Sequence, residues 1–315
     1  MFAAYSHHEE RTELTASAEN VSNADYDLVS YTAIKILQKR AWHTSIAYTR
    51  QMADALGVEW RISKPRAWAR NALWGEFGAG LFLQFRHEAI SQALDNFPGS
   101  AVLEIAAGYS TRGLVESSSR EAYIESDLPQ LIRCKPRLIE TIRGSGPATN
   151  HYFCGLNACS AADMHRVGEL VDRLKLKKPL VVVHEGLMMY LSDAEQRSVR
   201  DNIRTFLSEH SPHGAWITTD FSERDVDETL WQRMMNWALT RRVNRRFNRF
   251  KDDRAVGAFL SAADLSYEEL PNIKADEGET EARAVAELFR AWTITLRSRA
   301  EPLTPRHASI SRLGS

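Results

Sequence analysis

The period of the hydrophobic positions changes near residue 98. Before it, from about residue 26, apolar side chains recur at helical spacing: Leu28, Tyr31, Ile34 and Leu37, then Ile46, Met52 and Leu56, then Leu81, Phe85, Ala89 and Leu94. After it, short β-rich runs fall at residues 101–105, 122–126, 151–154, 180–184 and 215–220. Two more strands are expected at 265–270 and 291–296, with a helix over 279–289 between them. Between the fourth and fifth runs, Val199, Ile203, Phe206 and Leu207 mark an amphipathic helix over 195–207. Strands alternating with helices predict an α/β fold, a mostly parallel sheet of about seven strands with helices on its faces.

This pattern divides the chain into four parts. Residues 1–20 and 301–315 are polar and unpatterned and read as loose tails; residues 21–98 form an N-terminal helical cap; residues 99–300 form the core. Within the core, residues 222–262 read as a helical insertion before the last strands, carrying Trp231, Met234, Met235 and Trp237 among arginines. Its expected place is over the sheet edge where ligands enter.

Composition narrows the function. A chain of 315 residues with 43% hydrophobic content has a sizeable core, and a formal net charge of −1 offers no field to steer it toward nucleic acid or an anionic membrane. Three cysteines without a CxxC pair argue against a disulfide framework or a cysteine zinc site, and His87, His151 and His184 have no metal-motif spacing. No signal peptide or membrane span is visible, so a cytoplasmic location is expected. Arg241, Arg242, Arg245, Arg246, Arg249 and Arg254 lie among aromatics; the plainer reading is a solvated helix face, the sharper one a docking surface for an acidic substrate or carrier protein.

The candidate chemistry sits at strand ends. The first strand carries Glu104 and runs into Ala106, Ala107 and Gly108, small residues that let backbone approach a ligand closely. Asp127 follows at the end of the second strand, where an acid can accept both ribose hydroxyls of a nucleoside; the alternative is a turn aspartate before Pro129. Glu185 follows the fourth strand, to face a cofactor's ammonium or sulfonium or to pair with an arginine. The turn lacks the GxGxxG of a dinucleotide site, which favours S-adenosylmethionine, a nucleoside without a pyrophosphate, over NAD.

Four phrases carry a resemblance: VLEIAAGYSTRGL (102–114), YIESDLPQLIRCK (123–135), VVVHEGLMMYL (181–191) and GAWITTDF (214–221). In this order and spacing the chain resembles the leucine carboxyl methyltransferase family of class I methyltransferases, which includes bacterial O-methyltransferases of polyketide pathways. The resemblance implies a Rossmann-like sheet and S-adenosylmethionine as cofactor. It also implies that Arg86 pairs with the methionine carboxylate, Gly108 forms the cofactor turn, Asp127 binds ribose and Glu185 faces the cofactor. Ala106 stands where the family has glycine, and Ser110 where it often has aspartate. Asn157 replaces an aspartate that would face adenine, with a turn or cap role as its alternative.

Tyr190 and Trp231 are the candidate substrate-side residues, Tyr190 also fitting a packing role. Lys135 and Arg137 are expected on a solvated helix face. No metal is expected and no catalytic residue is assigned: an ionised carboxylate needs no general base, whereas a hydroxyl acceptor would call on His87 or His184. The expected activity is methyl transfer to a carboxylate or hydroxyl oxygen of a small or carrier-bound molecule. Methylation of a protein C-terminal carboxyl, a dehydrogenase on the same sheet, and donor binding without turnover are the alternatives.

Overall fold

The computed structural model describes residues 27–61, 76–144, 150–221, 248–270 and 291–297. The two expected tails, Trp231, the expected helix over 279–289 and the arginines from 241 to 246 lie outside the described residues.

Seven strands form one sheet: β1 (Ala101–Ile105), β2 (Tyr123–Asp127), β3 (His151–Gly155), β4 (Leu180–His184), β5 (Ala215–Thr218), β6 (Leu265–Glu269) and β7 (Trp292–Leu296). Their order is β3-β2-β1-β4-β5-β7-β6. The first five run parallel, and β7 enters antiparallel between β5 and β6. All seven expected strands are present, the first and fourth with the expected bounds and the other five with ends shifted by one or two residues. The fifth stops at Thr218 because the Thr218 hydroxyl takes the Asp220 amide and turns the chain.

Strand order reverses between β1 and β4, so their carboxyl ends open a crevice, the usual ligand position in such sheets. Register sets its floor: Ile105 lies opposite Ser126 on one side and His184 on the other.

The central strands read as continuous apolar runs because both faces are covered. One face presents Val102, Val181, Val183, Ala215 and Ile217 to Phe85, Ala89, Ile90, Ala93 and Leu94 of the helix Glu76–Asp95. The other presents Leu103, Ile105, Val182 and Trp216 to the helices Ala161–Leu174, Asp193–His210 and Asp253–Ser261. The second of these starts before the expected residue 195, because Ser192 and Glu195 form a reciprocal capping box.

The N-terminal helices follow the expected pattern. The helix Asp27–His43 buries Leu37 and Ala41 against Met52 and Ala53 of the helix Thr49–Ala55, and both pack on Ile139 of the helix Lys135–Arg143. This layer stands over the carboxyl ends of β1 and β2 and roofs the crevice with Thr32, Ala33, Ile36 and Arg40.

Arg137 is exposed, but Lys135 is fully buried, which corrects the expectation of a solvated face. Its ammonium pairs with Glu125 in the middle of β2, and Glu125 Oε1 lies 2.8 Å from His151 Nε2 on β3. A charge inside a two-sided sheet needs such partners, and Lys135 supplies one from the adjacent helix. No disulfide links Cys134, Cys154 and Cys159.

Candidate functional site

Arg86, Glu104, Ala106, Gly108, Asp127, Asn157 and Glu185 all line one cleft with an empty volume of about 1330 Å³, open mouth included, and Tyr190 lines it too. Four different strand ends and the helix Glu76–Asp95 supply them.

The turn after β1 is left-handed at two positions, Ala106 with φ 54° and Gly108 with φ 47°. Glycine adopts this conformation freely; alanine does so at a cost of about 1 kcal/mol. A Cβ on Gly108 would sit in ordinary contact with Ala33 at 3.6 Å, so the glycine is called for by its positive φ rather than by crowding. Asp127 holds the turn in place: Oδ2 accepts the Gly108 amide at 2.6 Å and Oδ1 accepts the Leu128 amide at 2.7 Å. Burial raises the Asp127 carboxyl, against these bonds and the charge of Lys135.

Arginines dominate the opposite wall. Glu185 pairs with Arg40, with Arg112 at 3.0 Å and with Arg86 at 3.9 Å. Burial opposes ionisation of Glu185, but the three guanidiniums overcome it and hold the carboxyl below its usual range. Arg86 Nη2 also donates to Asp220 Oδ1 at 3.1 Å. The Glu185 carboxylate is therefore both cleft-lining and an arginine partner, so its two sequence-based readings are compatible. Glu104 is committed elsewhere, to the Tyr123 hydroxyl at 2.7 Å and Arg112 Nε at 3.7 Å.

Arg40 Nε and Arg86 Nε are buried with no hydrogen-bond partner. Two such groups at one end of a cleft lack an acceptor that an anion would supply. Arg40 and Arg112 are absent from the sequence-based site. Arg40 sits in a helix whose polar residues mask it, and Arg112 is a motif residue to which no role is given; a buried arginine has no periodic signature.

Asn157 lies at the far end of the cleft, and its side-chain oxygen accepts the Cys159 amide at 3.1 Å, a turn role. Its carboxamide nitrogen is the group left to face a ligand. Ser110 lines the cleft, with Oγ accepting the Arg112 amide at 3.3 Å.

His87 and His184 do not line the cleft. Burial and the charges of Arg112 and Arg40 push His87 well below the ordinary histidine range. His184 Nδ1 lies 3.1 Å from Asp220 Oδ2. Asp220 also takes the amides of Gly186, Leu187 and Met188 at 2.7–2.9 Å, which fixes the segment after β4. Burial alone would raise the Asp220 carboxyl, but His184, Arg86 and these amides hold it well below the aspartate range.

Order, direction and crossover of the seven strands, with the cleft at the β1–β4 switch, define the fold of class I Rossmann-like methyltransferases. No protein-family profile matches the chain, and no curated protein sequence matches it. Among solved structures it is similar to a putative methyltransferase from Thermobifida fusca, with a TM-score of 0.50 and 12% identity over 79% of this chain and 94% of that one. It is also similar to an O-methyltransferase family protein from Burkholderia thailandensis, with a TM-score of 0.45 and 13% identity over 86% of this chain and 73% of that one. Human N-acetylserotonin methyltransferase, solved in complex with SAM, gives a TM-score of 0.43 and 10% identity over 85% of this chain and 67% of that one. At these identities the likeness is one of fold.

Proposed function

We propose that this chain binds S-adenosylmethionine in the cleft and transfers its methyl group to an oxygen of a small or carrier-bound acceptor. The observation that carries this reading is the polarity of the cleft: Asp127 beside the Gly108 turn at one end, and Arg40 and Arg86 at the other, each with a buried Nε–H that makes no hydrogen bond, Arg86 Nε lying 3.9 Å from Glu185. An acid for ribose hydroxyls and guanidiniums for a carboxylate suit a nucleoside bearing an amino acid. The four-phrase resemblance supports the leucine carboxyl methyltransferase family in particular.

The residues present fit such a donor. Asp127 and the Gly108 turn would hold ribose, Asn157 with Leu156 the adenine, Arg40 and Arg86 the carboxylate, and Glu185 the ammonium. The bound sulfonium supplies a methyl group already activated for displacement. The protein's part is alignment and exclusion of water, which together supply several kcal/mol.

The described lining offers no group ready to take a proton. Glu185 is held ionised by three guanidiniums, Asp127 is occupied by the Gly108 and Leu128 amides at the proposed ribose end, and Tyr190 is pushed above its ordinary range by burial, so it donates rather than accepts. An acceptor that arrives ionised, a carboxylate, therefore suits this site better than an aliphatic hydroxyl.

Calorimetry with S-adenosylmethionine and with NAD tests the cofactor; binding of NAD alone would overturn the reading. Transfer of a tritiated methyl group from the donor to a cell-extract component, read as base-labile counts for an ester, tests the reaction.

A further inference from the structure

The helix Lys135–Arg143 begins with one cation and ends with another, and the two reach the same buried carboxylate by different routes. Lys135 Nζ pairs with Glu125 of β2 directly and lies 3.4 Å from the Ala107 carbonyl, in the turn after β1. At the far end, Arg143 Nη2 donates to His151 Nδ1 at 3.0 Å, and His151 Nε2 lies 2.8 Å from Glu125 Oε1. Half-buried Arg143, which also donates to Ser117 Oγ at 3.2 Å, is thus joined to the turn of the cleft without lining the cleft itself.

Glu125, Lys135 and His151 are all buried, so each proton in this line has a defined place. Arginine can only donate, and His151 Nδ1 must therefore be the lone-pair nitrogen. The ring proton then sits on Nε2 and is donated to Glu125. A second proton, on Nδ1, would point at the Arg143 guanidinium, so Arg143 excludes the imidazolium. An imidazolium would be a rival cation for Glu125 and would draw the carboxylate from Lys135. The other neighbours of the ring cannot take over this role. Tyr123 meets it edge-on from β2, 5.8 Å away, with its hydroxyl committed to Glu104, and the helix Arg112–Glu116 meets it with Gly113.

We infer that Arg143 is a positioning residue for the donor turn: it keeps His151 neutral, so that Glu125 stays with Lys135 and Lys135 with the Ala107 carbonyl. The inference rests on the methyltransferase reading and adds to it a residue outside the cleft.

The test uses the full chain with isotope-labelled histidine, His151→Gln serving to assign the His151 signals. Nitrogen NMR at about pH 7.5 and about pH 5.5 brackets the ordinary histidine range. The parent is expected to show Nδ1 bare and Nε2 protonated at both. In Arg143→Leu the ring should carry its second proton at the lower pH, and S-adenosylmethionine affinity by calorimetry should fall there by about fivefold relative to the parent, with little change at the higher pH. Arg143→Lys keeps an N–H donor and should restore both readouts. In a Lys135→Met, Glu125→Gln background, Arg143→Leu should leave affinity unchanged, its route to the turn being cut. A parent ring protonated at Nδ1, an affinity loss equal at both pH values, or a ring that charges without loss of affinity would overturn the inference and leave the methyltransferase reading standing. A parent chain that binds no S-adenosylmethionine would overturn that reading and this role with it.

Discussion

Asp127 Oδ2 accepts the Gly108 amide at 2.6 Å, tying the end of β2 to the turn that ends β1. Its other oxygen takes the Leu128 amide, yet each carboxylate oxygen can accept twice, so both keep a lone pair for a ribose hydroxyl. One side chain thus shapes the turn and, under the proposed function, would also read the ligand. Asp127→Ala is expected to weaken S-adenosylmethionine binding by about 100-fold, the loss of charged hydrogen bonds at two hydroxyls. Asp127→Asn, which keeps one acceptor oxygen, should fall between. Titration calorimetry on proteins with matching circular dichroism checks both; an Ala variant binding like the parent would remove Asp127 from the site.

Arg40 provides a sharper check, since sequence alone did not single it out. Its Nε–H is buried without a partner, while its Nη2 pairs with Glu185. Arg40→Lys keeps the charge and loses the planar fork, so donor affinity should drop by about tenfold with little change in melting temperature. Decarboxylated S-adenosylmethionine lacks the anion, and the same substitution should leave its weaker binding unaltered. Equal losses for both ligands would mean that Arg40 acts only through Glu185.

The site was legible in sequence where chemistry sits at strand ends, and illegible where it depends on side chains crossing between elements. Gly108, Asp127 and Glu185 follow apolar runs, and a parallel sheet puts all such positions on one edge. Arg40 and Arg112 reach the same Glu185 from separate helices, a convergence that no local period encodes. Lys135 was misread for a related reason: its helix is amphipathic, but its ammonium turns under the sheet. Glu125 was the available signal, a charge in the middle of a buried strand that required a partner.

Asp220 should make stability depend on pH with a defined sign. Its folded carboxyl lies well below the ordinary aspartate value of 3.8, because His184, Arg86 and three amides outweigh burial. A depressed carboxyl stabilises the fold above its unfolded value, and that contribution is lost as pH falls toward the folded one. Asp220→Asn is therefore expected to lower unfolding free energy by about 3 kcal/mol at pH 7. The gap from the parent should shrink below about pH 4. Urea unfolding across this range measures it; a gap that stays constant would mean that the carboxylate charge is irrelevant.

Gly113 lies in the helix Arg112–Glu116, directly over Glu125 of β2 and His151 of β3. A Cβ there would collide with Glu125 Oε1 and His151 Nε2, neither of which can swing aside without breaking their 2.8 Å hydrogen bond. Gly113→Ala should cost about 2–3 kcal/mol by denaturant unfolding, although alanine is the better helix former. A stabilised variant would show that the Glu125 network yields easily.

Lys135 and Glu125 allow the cost of that network to be separated from its use. Lys135→Met leaves a fully buried carboxylate beside His151 with its main counter-charge gone, and should cost about 3–5 kcal/mol. Converting the partner as well, in Lys135→Met with Glu125→Gln, removes both charges and should recover most of that loss, since a buried ion pair contributes little net stability over a neutral pair. Lys135 Nζ also lies 3.4 Å from the Ala107 carbonyl, in the turn that Asp127 holds. The double variant should therefore fold stably yet bind S-adenosylmethionine about tenfold more weakly, its turn having lost that donor. Recovery of both stability and affinity would confine the pair to the core; loss of affinity alone would tie a buried lysine to the floor of the cleft.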